Sequence, residues 1–279
     1  MTNQAVPATA PPGRTPAADL APSQPSAARM WNHWLGGTHN YAVDRAAGDR
    51  LAAANPGLVE RVRTTRHFLD RAVRHLAHEA GVRQFLDIGP GLPAAGSTHQ
   101  IAQRAAPDAR VVYADNDPVT VGHARTILAP SPPGAVTYLQ ADLRSPEALL
   151  EAVSGTLDLN RPVALVLSGI LGHVPTYEEA RATVRTLMAQ LPSGSHLLAH
   201  DISDTESDWR AVQARHNADA PVAYHLRTPR QIAGYFDGLR LVDPGVVPLT
   251  DWRPDAESPA SAEWAALVAD VVGGVGHKP

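Results

Sequence analysis

The stretch Phe85-Leu86-Asp87-Ile88-Gly89-Pro90-Gly91-Leu92-Pro93-Ala94 decides how this chain is read. An apolar run that ends in Gly-x-Gly before a helix lets backbone approach a ligand where a side chain would collide. Gly89-x-Gly91-x-x-Ala94 also satisfies the loose dinucleotide fingerprint, which is weak evidence alone. Asp115 closes the next apolar run, near the ~20-residue spacing at which such a fingerprint places an acid on a ribose hydroxyl.

Working outward, short apolar runs alternate with helical text. Arg83–Ile88, Arg110–Ala114, Val136–Gln140, Pro162–Leu167 and Ser195–Ala199 read as strands. Between them Thr98–Ala106, Pro118–Leu128, Pro146–Val153 and Tyr177–Gln190 read as helices. This alternation predicts an α/β fold, a parallel sheet with helices on both faces. Upstream, Leu58–Ala80 carries much of an apolar stripe (Val62, Phe68, Leu69, Val73, Leu76, Ala77) and ends at Gly81, a C-terminal cap. Beyond Asp201 the text predicts a polar helix, a second helix near Pro229–Phe236 and the run Leu239–Leu249. Trp264–Val275 closes as helix and strand or as strand alone. Residues 1–25, rich in Ala, Pro, Thr and Ser, bury too little apolar surface to order and are expected to form a disordered tail. The expected organisation is that tail, a helical lid over 26–80, and a ligand-binding α/β domain over 81–279.

Composition narrows the function. The 279 residues hold no cysteine, which excludes disulfides, thiolate metal sites and cysteine nucleophiles. Lys+Arg 24 against Asp+Glu 28 leaves a formal charge of −4, so no basic excess points to nucleic acid or an anionic membrane. No run approaches the ~20 apolar residues of a membrane span, and no secretory signal is read at the start, so a cytoplasmic protein is expected. No histidine cluster suggests a metal. Lys278 is the sole lysine.

Charge separates the possible ligands of the glycine turn. A dinucleotide would set a pyrophosphate over it, and Asp87 would place a carboxylate close to that anion. S-adenosylmethionine brings an ammonium and a sulfonium, both cationic, and a carboxylate at the base of the turn suits it. Asp142, after the third strand, is placed to accept from an adenine amino group. Three acids at three successive strand ends form a more specific pattern than any one, although each alone also suits a helix cap.

The sequence resembles class I S-adenosylmethionine-dependent methyltransferases, and more closely an actinobacterial family, formerly a domain of unknown function and now called S-adenosyl methyltransferase. The resemblance runs from about Pro25 to the C-terminus. It rests on Trp34-Leu35-Gly36-Gly37 with Asn40-Tyr41 and Asp44-Arg45, Arg83 to Gly89, Val111 to Pro118, Gln140 to Arg144, and Gly273-Gly274-Val275-Gly276. It implies a Rossmann-like, seven-stranded, mostly parallel sheet with the last strand antiparallel. It implies that Asp87, Gly89 and Gly91 line the methionine moiety, Asp115 the ribose, and Asn116, Asp142 and Leu143 the adenine. Pro90 stands where relatives usually carry Ser or Thr, and Thr65 where they usually carry Asn.

Further candidates complete the expected site. Arg66 is placed to pair with the methionine carboxylate. Gly36, Gly37 and Tyr41 belong to the expected lid, which would exclude water and help form the acceptor pocket. Ser168 ends the fourth strand, and His173 and His200 follow the fourth and fifth, at the sheet edge where such folds bind ligands. The two histidines are candidate general bases, although methyl transfer can rely on orientation alone. The resulting reading is methyl transfer from S-adenosylmethionine to an oxygen or nitrogen of a small molecule. A non-catalytic binder of this cofactor or its demethylated product, and a nicotinamide-dependent oxidoreductase, stay open at this point.

Overall fold

The structure, a computed structural model, describes residues 23–129, 134–205, 210, 213–214, 217, 223–255 and 261–279. Residues 1–22 of the expected tail, and most of the expected polar helix after Asp201, lie outside the described residues. The chain opens with α1 (Ala27–Trp34), α2 (Ala42–Ala54) and α3 (Leu58–His78). The α/β alternation follows: β1 (Gln84–Ile88), α4 (Thr98–Ala105), β2 (Arg110–Asp115), α5 (Pro118–Leu128), β3 (Val136–Gln140), α6 (Pro146–Ser154), β4 (Ala164–Ser168), α7 (Tyr177–Gln190) and β5 (His196–Ile202). A 3₁₀ turn, Leu171–His173, precedes α7. The closing elements are α8 (Pro229–Gly234), β6 (Arg240–Leu241), β7 (Val247–Pro248), α9 (Ala262–Leu267) and β8 (Val271–His277).

The strand order is β3-β2-β1-β4-β5-β8-β6, with β7 also on β8. Strands β1 to β5 pair in parallel, and β8 runs antiparallel to β5. The expected seven strands become eight because the last position is split: β6 pairs the end of β8 and β7 its beginning. Between them stands Asp243-Pro244-Gly245, and a proline has no N–H to give a ladder.

Central strands are buried on both sides, which is why they read as apolar runs and not as alternation. Phe85, Val166 and Leu198 face one core cluster with Phe68, Leu69, Val73 and Leu76 of α3. Leu86, Leu165 and Leu197 face the other, with Leu149 and Val153 of α6 and Val184 and Leu187 of α7. Helix α3 is further tied by a buried ion pair, Arg61 Nε to Asp270 at 2.9 Å, and by Arg71, which donates to the carbonyls of Trp252 (2.9 Å) and Leu249 (2.6 Å). Lys278 donates from Nζ to the carbonyls of Met188 (2.8 Å) and Leu191 (2.5 Å), capping the end of α7 where a cation opposes the helix dipole.

The N-terminal helices form a smaller apolar cluster of Trp34, Leu58 and Val62. Arg29 of α1 and Asp44 of α2 are both buried and joined at 2.7 Å. Asp44 also accepts from the amides of Ser26 and Tyr41, at 2.9 Å each. Cutting such a pair on one side strands a buried charge, a loss of about 3–5 kcal/mol.

Candidate cofactor site

The glycine turn follows β1, an interior strand. Gly89 (φ +70°) and Gly91 (φ +65°) are left-handed, a conformation that favours glycine. A Cβ on Gly89 would strike the Ile170 side chain. Beneath the turn Asp87 is buried, and its Oδ2 accepts from Thr98 Oγ1 at 2.6 Å. Its Oδ1 is equally buried and has no hydrogen-bond partner among the described residues. Burial pushes this carboxyl up to about 6, against the opposing pull of Thr98 and Arg66. Burial lowers the Arg66 guanidinium in turn, with Asp87 partly offsetting it. A cleft of only about 10 Å³ is lined here by Arg66, Asp87, Gly91, Thr98, Tyr113 and Tyr138.

Asp115 ends β2 and accepts at Oδ1 from the Asp117 amide at 3.0 Å. Burial raises its carboxyl, while the amides of Asp117, Gly91 and Asn116 draw it down. Asp117, not Asp115, caps α5, accepting from the amides of Val119 (3.0 Å) and Thr120 (3.3 Å). After edge strand β3, Asp142 is gripped by Arg144, Nη2 to Oδ2 at 2.6 Å, and its carboxyl falls below the ordinary range mainly through that bond. The Asn116 side chain also donates to Asp142, joining the two loops. Ser145 is the N-cap of α6, so Asp142 is not, and Leu143 packs into the second core cluster.

Residues of the 26–80 block pack against this edge. Ala28 of α1 lies 3.5 Å from where a Cβ on Gly91 would stand. The His39 ring meets His123 of α5 edge-on at 5.5 Å. Thus the α1–α2 block touches both the glycine turn and the helix after Asp115. Gly36 turns the chain after α1 with φ +74°, Gly37 lies against the Asn32 side chain, and Tyr41 stands under the Arg29 guanidinium at 5.6 Å.

The two candidate bases differ in environment. His200 is buried, its Nε2 is 2.7 Å from Ser168 Oγ, and its ring meets Phe68 edge-on. Burial pushes the imidazole down to about 3, so it is neutral near pH 7. His173 is half-buried in the 3₁₀ turn, where Nδ1–H donates to the Ala223 carbonyl at 3.0 Å and the ring meets Tyr224 edge-on. Four contributors escaped sequence reasoning. Thr98 sits at a helix start; Tyr113 and Tyr138 stack at 5.5 Å, and Tyr138 donates to the Gly91 carbonyl at 2.7 Å. Tyr224 donates to Asp201 at 2.6 Å, and burial raises that carboxyl to about 7. Tyr113 and Tyr138 are register partners on β2 and β3, a pairing that the sequence alone does not display. Among the described residues no group of three metal-ligating side chains gathers.

The donor set fits S-adenosylmethionine. An ionised oxygen buried without a donor is costly, and an ammonium would supply both charge and hydrogen bond. The sheet order, antiparallel closing strand and three strand-end acids define a class I methyltransferase. The chain belongs to the S-adenosyl methyltransferase family, which it matches over residues 13–279. It is similar to a methyltransferase candidate from Thermobifida fusca, at 35% identity over 95% of this chain and 98% of that one, with a TM-score of 0.83. A DUF574-family protein from Streptomyces avermitilis is 37% identical over 92% of this chain and 98% of that one, with a TM-score of 0.84. No match was found among curated proteins. Family membership makes S-adenosylmethionine the cofactor and sets aside the nicotinamide reading.

Proposed function

We propose that this methyltransferase is a cytoplasmic enzyme that acts in line on an oxygen or nitrogen of a small molecule, with the cofactor held across the ends of β1, β2 and β3 under the 26–80 block. The observation that carries the reading is the buried Asp87 carboxylate with one oxygen unmet beneath the glycine turn. When bound, the cofactor supplies a methyl carbon on a sulfonium, open to an acceptor lone pair as the carbon–sulfur bond breaks to leave a neutral thioether. Asp87 neutralises the ammonium end, and Arg66 faces the carboxylate. Gly89 and Gly91 admit the chain between them. Asp115 takes the ribose hydroxyls, and Asn116, Asp142 and Leu143 bound the adenine.

The 26–80 block excludes water and orients the acceptor, an effect worth up to ~7–11 kcal/mol when reacting atoms are well aligned. His173 is the candidate base: with its Nδ1 proton on the Ala223 carbonyl, the imidazole lone pair lies on Nε2. His200 holds Ser168 at the end of β4 and, being buried and neutral, keeps a single ring proton and no positive charge.

A single-turnover assay with methyl-labelled cofactor and a panel of small hydroxyl and amine acceptors tests the proposal. Label should pass to an acceptor, and His173→Gln should slow transfer about 10²–10⁴-fold if proton removal accompanies attack. Label that appears only on nucleic acid or protein would overturn the choice of acceptor.

A further inference from the structure

The opposite edge of the sheet holds a cavity of about 370 Å³, roughly tenfold the ~30 Å³ share of one water. Its walls are the turn after α3, the start of β1, the loop before β4 and the start of β5, closed by the end of β8. Two histidines meet there. His196 and His277 are register partners on β5 and β8, with ring centroids 4.9 Å apart. His196 is only 6% exposed; its ring bonds the Gly194 backbone, and its Nδ1 is buried without a hydrogen-bond partner among the described residues. His277 Nδ1 accepts from Arg240 Nη2 at 3.3 Å, which puts its proton on Nε2.

The remaining polar groups sort into committed and available. Arg83 is committed, donating to the carbonyls of Ala77 (2.7 Å) and Val82 (3.1 Å) and pairing with Asp108 at 3.0 Å. Gln84 is committed too, its amide exchanging bonds with the Asp158 backbone at 2.8 and 2.9 Å. The Asp158 carboxylate accepts from Asn160 and stays within its own loop. Asp108, the acid beside Arg83, is therefore spent. The exposed Arg161 guanidinium makes no hydrogen bond or ion pair among the described residues, and it lines the cavity. What is left around one space is the Arg161 side chain and the His277 Nε2–H, with Arg240 behind them, while the His196 ring is engaged with the Gly194 backbone.

We propose that this cavity is a second binding site, for a phosphate-bearing small molecule, with the oxyanion held by Arg161 and His277 and the His196 ring packed against His277. A guanidinium matches tetrahedral oxyanions in bidentate fashion, and the His277 Nε2–H adds a donor from another direction. The space beyond a bare phosphate accommodates the rest of an ester. The site lies across the sheet from Asp87 and does not depend on the methyl-transfer reading.

The test is a titration of the full chain with inorganic phosphate and, separately, ribose 5-phosphate, followed by calorimetry and by the histidine ring signals in NMR. Both probes should shift the ring signals of His196 and His277, with the ester binding more tightly. Arg161→Gln, at an exposed position that leaves the core intact, should weaken both about tenfold or more, in line with loss of a charged hydrogen bond. Asp87→Asn should leave both unchanged. No saturable binding up to about 10 mM, a level that corresponds to negligible affinity, would overturn the proposal. So would binding that Arg161→Gln does not alter.

Discussion

Asp87 and Asp142 are the same residue type at the same edge of the sheet, the carboxyl ends of parallel strands, yet they live in opposite surroundings. Asp87 lies near the end of β1, a strand flanked by β2 and β4, and is buried with one oxygen unpartnered among the described residues. Asp142 follows β3 at the edge of the sheet and is held by Arg144 in contact with water. Burial lifts the first carboxyl to about 6, and the arginine bond lowers the second. Asp115, the last residue of β2, stands between them in position and in burial, with a raised carboxyl that backbone amides partly relieve. Distance from the middle of the sheet therefore sets how much each acid depends on a ligand. The central one is unfavourable until a cation arrives; the outer one is already satisfied.

The largest expected effect follows from neutralising the central acid. Asp87→Asn should weaken cofactor binding about 10–100-fold, the loss of a charge-assisted hydrogen bond of roughly 1.5–3 kcal/mol. The same change should stabilise the ligand-free protein. A carboxyl lifted from 3.8 to about 6 destabilises the folded, ionised state by about 3 kcal/mol at neutral pH. Affinity by calorimetry and stability by urea melts should thus move in opposite directions. A variant that loses both would mean that Asp87 is structural.

The second effect is the pH dependence of the same group. The folded chain holds this proton more tightly than the unfolded one, so the Asp87 contribution is favourable below about 4 and is lost as pH rises through about 6. Cofactor affinity runs the other way: it should fall up to about tenfold per pH unit below about 6, where the counter-charge is protonated. In Asp87→Asn this slope should vanish. A slope that survives there would move the titrating group elsewhere.

The contrast between these acids was only half legible in the sequence. Apolar runs and the Gly89-x-Gly91 turn give the sheet, because buried parallel strands write themselves as apolar text. The three acids announce a ligand because they recur at successive strand ends. Their electrostatics do not show, since burial of Asp87 is created by α3 and α4, elements whose own text names other partners. The split seventh strand position was hidden because the proline that breaks it lies within an apolar run. Thr98, Tyr113 and Tyr138 are ordinary helix-start and strand residues until the fold brings them to one cleft. The cavity of His196 and His277 joins residues about eighty positions apart, and only the antiparallel pairing of β5 with β8 makes them neighbours.

Asp115→Asn should fall between the extremes, weakening the cofactor about tenfold through one lost charged acceptor at the ribose. Adenosine alone, titrated against the same variant, sharpens the point. It should lose as much as the whole cofactor does, whereas Asp87→Asn should leave adenosine nearly unaffected. Equal losses of adenosine in both variants would break the division of the site into a methionine end and a ribose end.

The smallest effect belongs to the edge. Asp142→Asn should weaken the cofactor only a few-fold, because an exposed acid already bonded to arginine gives up little that water and Arg144 did not provide. Arg144→Gln tests the same balance from the other side: it releases the carboxylate, so adenine should be held as well or slightly better, and salt should matter less than in the parent. Measured side by side with Asp87→Asn, these two variants decide whether the gradient across the sheet is real. If Asp142→Asn costs as much as Asp87→Asn, position in the sheet does not govern what each acid contributes, and adenine recognition would have to outweigh the desolvated charge at the centre.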